Sequence, residues 1–207
     1  GQTSLTQTDG APVFVTQYEA PPRMLIFGIS DVATGLAALA LPLGYAVTVC
    51  DARPAFVQEG RFPAAALVRD WPHRYLRQER EAGRINADTA IVDLTHDDRF
   101  SVPLLIEALD SRCWTGSAQP AFVGALASRA RASAKRAALL QYGLAPGDVD
   151  RLQAPIGLDL GARTPEETAV SIIGEIIARR WHGTGQPLAD VAGRIHHDGR
   201  IGADHQR

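Results

Sequence analysis

A chain of 207 residues, 45% apolar and 21% charged, has the make-up of an ordinary globular protein with material for one sizeable core. Its net charge of −2 excludes a strong pull toward nucleic acid or an anionic membrane surface. Two cysteines, Cys50 and Cys113, make neither a disulfide framework nor a metal quartet, and no apolar run reaches the ~18 residues of a membrane span. Residues 1–20 lack a signal-peptide pattern, so the expected setting is soluble and cytoplasmic. All of the basic residues are arginine except Lys135, a bias of the kind that coding composition produces.

Residues 1–11 are polar and are expected to be loosely ordered at the terminus. "PVFVTQYE" predicts a short strand, which "APP" at 20–22 ends like a linker entering a domain. An alternation then begins. "RMLIFG" is a short apolar run, and "DVATGLAALALPLG" is a small-residue helix closed by Gly44. "YAVTVCD" is a β-branched strand, "AALVRD" a third strand, and "WPHRYLRQEREAGR" a charged helix. "TAIVDLTHDD" is a fourth strand with a polar end, followed by the helix "PLLIEALDSR", where Leu105, Ala108 and Leu109 recur at helical spacing. "AFVGALASR" is a fifth strand, and "ARASAKRAALLQYG" is a helix that Gly143 ends.

The last helix, in "ARTPEETAVSIIGEIIARRW", carries the sharpest local signals. Thr164 and Glu167 form a capping box, Pro165 takes the first helical position, and Arg179 and Arg180 suit the carboxyl end. Strand and helix repeated in this way predict an α/β, Rossmann-like three-layer fold with a mostly parallel sheet. The expected organisation is an N-terminal segment at 1–20, a Rossmann-like domain at 21–182, and a polar, loosely ordered tail at 183–207.

Ligands of open parallel sheets bind beyond the carboxyl ends of the strands. Those ends supply Ser30 and Asp31, Asp51 and Arg53, Asp70, then Thr95, His96 and Asp97, and finally Ser128 and Arg129. In "GISDVA" the three glycine positions of a dinucleotide loop hold Gly28, Ser30 and Ala33. The first keeps the tight turn and the third is an accepted substitute, but Ser30 crowds the pyrophosphate path. Asp31 adds a negative charge at a helix start that would otherwise attract phosphate. Asp51 stands at the distance of a ribose-gripping acid.

His96 suits a base, a ligand or a hydrogen-bond donor, against a bland role fixing its loop. Arg129 suits a phosphate or carboxylate, against a solvated basic face. "RIHHDG" has metal-ligating residue types in a polar tail, where adjacent histidines are more often without that role. Cys113, on a loop beside Trp114, is expected to be the more exposed thiol.

"PPRMLIFGISDVATGLAALALPLGYAVTVCDARPAF", "RFPAA", "THDDRFSVPLLIEAL", "FVGALASR" and "APIGLDLGARTPEETAVSIIGEIIA" occur in a characteristic order and spacing. Over roughly residues 20–180 the chain resembles the C-terminal Rossmann domain of the XdhC/CoxI family, accessory proteins of xanthine and carbon monoxide dehydrogenases. "PIGLDLGARTPEE" is the most specific part. The resemblance implies a maturation factor, not an enzyme in its own right, that binds molybdenum cofactor and assists its sulfuration and insertion. It implies as partners the large subunit of a molybdoenzyme and a cysteine desulfurase, and leaves a homodimer open. The residues it points to for cofactor binding are Gly28, Ser30, Asp31, Asp51, Arg53, His96, Asp97, Gly124, Ser128, Arg129, Asp159, Gly161 and Arg163. It assigns no catalytic and no metal-ligating residue.

This sequence departs from the family pattern in three places. "GISDVA" replaces a loop that usually reads like "GAGHVA", "GALASR" replaces "GALGSR", and "DSRCWTGSAQPAF" is longer and more polar than usual. Most of the family's N-terminal domain is missing, and "PVFVTQYE" looks like the last strand of that domain. The competing readings are an NAD(P)-dependent oxidoreductase, with Asp51 on the ribose and NAD(P) held weakly, or a dinucleotide-binding regulatory module.

Overall fold

Strand β3 (Arg23–Phe27) shows how the chain is layered. Met24 and Ile26 pack into one apolar cluster and Leu25 and Phe27 into another, because successive side chains of a strand point to opposite faces. A strand buried on both sides is the mark of a parallel sheet with helices on each face. The computed structural model describes residues 2–8, 11–17, 20–54, 60–116, 118–192 and 195.

The central sheet adds β4 (Ala46–Cys50), β5 (Ala66–Val68), β6 (Ala90–Asp93), β7 (Phe122–Ala125) and β8 (Leu152–Gln153). All pairings in it are parallel, in the spatial order β5-β4-β3-β6-β7-β8. Counted from β3 this is 3-2-1-4-5-6, the doubly wound order of Rossmann domains. The order reverses between β3 and β6, where Leu94 N donates to Phe27 O at 2.8 Å. The expected α/β fold is the one observed.

Helices α1 (Asp31–Ala40) and α6 (Pro165–Arg180) cover one face. Ala33, Leu36 and Ala37 of the first and Ala169, Ile172 and Ile176 of the second meet there. They approach closely because Gly35 has no side chain: a Cβ on it would lie 3.2 Å from Ala169 Cβ. The other face carries α2 (Pro72–Glu81), α3 (Asp98–Leu109), α4 (Arg129–Gln141) and α5 (Pro146–Asp150). Leu76, Leu104, Leu105, Leu139 and Val149 form its core. Each fully buried Leu or Ile removes apolar surface worth about 1.5–3 kcal/mol.

The chain differs from the sequence expectation in several places, the short helix α5 among them. Residues 2–8 are not a loose terminus: β1 (Gln2–Thr8) pairs antiparallel with β2 (Ala11–Gln17) in a separate two-stranded sheet. Helix α3 starts five residues before "PLLIEALDSR", because Asp97 caps it and accepts from Arg99 N at 2.9 Å, leaving Pro103 inside the helix. The sheet gains a sixth strand, β8, too short to read from periodicity. In the polar tail, Leu188–Asp190 form a short 3-10 turn.

Candidate functional site

At the carboxyl ends of β3, β4 and β6, beside the point where the strand order reverses, lies a pocket of about 420 Å³. Gly28, Asp51, Arg53, His96 and Asp97 line it, so five of the residues expected from the sequence are brought together. Ala52, Pro72, Thr95, Asp98, Arg99 and Phe100 complete the walls. A larger cleft, about 530 Å³, runs along the end of α6 past Ile177, Trp181 and Leu188. Among the described residues its lining holds no charged side chain, whereas the first pocket collects the polar chemistry.

Gly28 is fixed by geometry. Its φ is +97°, and a Cβ there would stand 3.0 Å from the backbone of Leu94 and Thr95. The loop therefore passes against β6 only because this position is glycine. Ser30 does not project into the pocket lining. It caps α1, its hydroxyl accepting from Ala33 N at 3.2 Å. Asp31 is exposed, but Arg61 donates to it at 2.6 Å and to Thr34 Oγ1 at 3.1 Å. The negative charge at the start of α1 thus has a guanidinium partner that the spacing of the sequence did not reveal.

Asp51 is buried and fully engaged. It accepts from Ile29 N at 2.8 Å, from Arg53 N at 2.9 Å, and from the Arg53 side chain through both carboxylate oxygens. Burial pushes its carboxyl upward, but the Arg53 fork and the two backbone donors outweigh this and hold it below the usual carboxylate range. Asp97 is pulled down to about 2, first by its side-chain hydrogen bonds with Arg99 and then by Arg99 N.

Beneath the His96–Asp98 segment lies a polar network that sequence reasoning missed. Asp93, at the end of β6, accepts from Thr95 N at 2.9 Å, Thr95 Oγ1 at 2.6 Å and the Ser101 hydroxyl. Lys135 of α4 is 4% exposed and donates to Asp98 Oδ1 at 3.1 Å and to Ser101 Oγ, with Asp93 Oδ2 4.0 Å away. Burial pushes the Asp93 carboxyl up, more than its hydrogen bonds and Lys135 pull it down. One turn earlier, Arg131 donates to the His96 carbonyl at 2.7 Å. Two cations of α4 therefore hold the loop that carries His96. The signal in the sequence was the single lysine in an arginine-rich chain.

The other expected residues lie outside the pocket lining. Ser128 caps α4, accepting from Arg131 N at 3.3 Å, and Arg129 is exposed at the first helical position. Gly124 is inside β7, where a Cβ would run into Phe122 and Ile156, so its smallness serves packing. Asp159, Gly161 and Arg163 are exposed in the segment entering α6. That segment is anchored at both ends: Gly157 N donates to Glu175 Oε2 at 2.6 Å, and the Thr164–Glu167 capping box is formed. Cys113 is half-buried and is the more exposed of the two thiols, as expected; burial, ahead of nearby Glu107, pushes its thiol up. Cys50 is buried and pushed up to about 12, chiefly by burial. Of "RIHHDG", only Ile195 is among the described residues. Among those residues no helix is long and apolar enough to cross a membrane.

A 3-2-1-4-5-6 parallel sheet with a polar pocket at its switch point defines a Rossmann-type domain. Residues 24–176 match the model of the XdhC Rossmann domain, and the chain belongs to the XdhC family. Over 169 residues it is 31% identical to a probable xanthine dehydrogenase subunit of Bacillus subtilis (strain 168), covering 81% of this chain and 46% of that protein. It is 27% identical to the molybdenum cofactor insertion chaperone PaoD of Escherichia coli (strain K12), over 77% of this chain and 41% of PaoD. A crystal structure described as a xanthine dehydrogenase from Bacillus halodurans superposes with a TM-score of 0.63 at 28% identity. That match covers 78% of this chain and 45% of the other. The chain thus spans less than half the length of these relatives.

Proposed function

We propose that this chain serves in the maturation of a molybdenum hydroxylase of the xanthine or carbon monoxide dehydrogenase type. In this reading it binds molybdenum cofactor at the carboxyl-edge pocket, assists its sulfuration, and passes it to the large subunit of the client enzyme. The support is the XdhC membership together with the similarity to a molybdenum cofactor insertion chaperone. The observation that carries it is the pocket itself: a cradle at the switch point whose ribose-gripping acid, Asp51, is already bound by Arg53.

The residues present fit such a group. A pocket of about 420 Å³ is within the range for small cofactors, roughly 300–1,000 Å³. Arg53, His96 and Arg99 offer donors for a phosphate and for the polar edge of a ring. The bound group would supply the molybdenum chemistry that the client later uses, while this chain holds and shields it. Purification without added ligand, followed by metal analysis and oxidative conversion of any pterin to its fluorescent product, tests the proposal. Molybdenum and pterin in near-equal amounts are expected. Nicotinamide dinucleotide in their place would favour the oxidoreductase alternative, which the sheet order and the position of Asp51 keep in view.

A further inference from the structure

The pocket has an aromatic wall, built where two helices begin. Phe100, in the first turn of α3, is half-buried and lines the pocket. Trp71 follows β5, lies against Phe100 with ring centroids 5.1 Å apart and planes at 46°, and leaves 45% of its surface exposed. It occupies the N-cap position of α2, where it makes no capping hydrogen bond, although Ser, Thr, Asp or Asn is preferred there. A large exposed aromatic in place of a cap is not explained by helix stability. The next residue, Pro72, also lines the pocket, so Trp71 adjoins that lining through Pro72 and Phe100. The same pocket is lined by the Asp51–Arg53 and Asp97–Arg99 pairs, which offer hydrogen-bonding groups to the edge of a flat ring.

We infer that Phe100, braced by Trp71, is the surface on which the flat heterocyclic end of the pocket's ligand stacks. This rests on the reading of the pocket as a cofactor site and names how that site selects its ligand: by a conjugated ring with a polar edge. A pterin and a purine share that chemistry. Stacking tolerates either, because both present a π-face, and the polar edge then discriminates.

The test is equilibrium dialysis of the whole chain with hydroxymethylpterin and, separately, with AMP. Phe100→Leu keeps apolar bulk and removes the ring face, and Trp71→Phe keeps an aromatic brace; thermal melting checks that both fold. In a Trp181→Phe background, where buried Trp114 and the exposed Trp71 are the remaining emitters, ligand should quench exposed tryptophan emission. Phe100→Leu should weaken binding about tenfold, equivalent to about 1.4 kcal/mol, and Trp71→Phe by less than about threefold. Pterin binding that Phe100→Leu leaves within about twofold of wild type would overturn the stacking wall and spare the maturation reading. AMP binding lost in Phe100→Leu, with no pterin binding, would uphold the wall and sink that reading. Neither compound binding the wild-type chain would sink both.

Discussion

Arg53 grips Asp51 through both carboxylate oxygens, with Nε 3.0 Å from Oδ1 and Nη2 2.7 Å from Oδ2. In a dinucleotide site the acid at the end of the second strand receives the ribose hydroxyls. Here a ribose would have to displace a charge-assisted fork, and position 30 carries a serine where a dinucleotide loop has glycine. NAD and NADP are therefore expected to bind no tighter than about 0.1 mM, about −5.5 kcal/mol. Arg53→Ala frees Asp51 and should tighten NAD while weakening a phosphorylated pterin. Calorimetry checks both; micromolar NAD binding by the wild-type chain would reverse the functional reading.

Lys135 explains itself by size. Its ammonium reaches Asp98 and Ser101 from a side chain that is 4% exposed, with Asp93 4.0 Å away, and a planar guanidinium is bulkier than the compact ammonium it would replace. Lys135→Met and Lys135→Arg should each destabilise the fold by about 2–3 kcal/mol, one by stripping a buried carboxyl of its cation and the other by overpacking. Asp93 gives the two a different pH dependence. Its folded pKa is raised above the ordinary 3.8, so its contribution to stability is fully present below that value and is lost as pH rises through the folded pKa. Without the ammonium the folded pKa moves further up. The deficit of Lys135→Met should then shrink as pH falls from about 8 to about 5, whereas that of Lys135→Arg should not. Urea melts at the two pH values decide it; parallel deficits would refute the coupling.

Gly28→Ala tests whether the first loop is held by packing. With φ at +97° and backbone atoms 3.0 Å from the would-be Cβ, the substitution combines strain with a clash against β6. A loss of about 2 kcal/mol or more is expected in thermal or denaturant unfolding. Gly44→Ala has the same sign of φ but open space, and should cost less. Equal losses at the two positions would mean that the close approach to β6 is not a constraint.

The parts of the fold that were legible in the sequence are those with local physical causes. The apolar runs "MLIF" and "AVTVC" became neighbouring strands, and the capping box at Thr164 formed as spelled out. Strand β1 was hidden by its polar composition, although Asp9 and Gly10, which separate it from the expected strand in sequence, are a known hairpin signal. At the site, strand-end logic found Asp51, Arg53, His96 and Asp97. It could not find Arg61 on Asp31, Lys135 beneath Asp98, or Phe100 against Trp71, since each pair joins residues at least 29 positions apart through tertiary packing. Strand-end logic read Asp97 only as a ligand candidate, yet it also caps α3.

The segment before α6 offers the cleanest separation of function from fold. Within "PIGLDLGARTPEE", Ile156 packs into the core, Gly157 and Leu158 are held by backbone hydrogen bonds, and Thr164 and Glu167 build the cap. Those positions have structural work that accounts for them. Asp159 and Arg163 do not: both are exposed, and neither side chain makes a hydrogen bond or ion pair among the described residues. They lie in the segment that leads from β8 into α6. Asp159→Ala and Arg163→Ala should each change stability by less than about 0.5 kcal/mol. If the pair meets the client or the cofactor's phosphate, both variants should lower the activity of a molybdoenzyme matured with them. Gly161→Ala, with φ at +69°, should cost about 1 kcal/mol by straining the loop and should lower delivery along with stability. Melting curves paired with client activity separate the cases: full activity with Arg163→Ala and Asp159→Ala would remove this loop from the site.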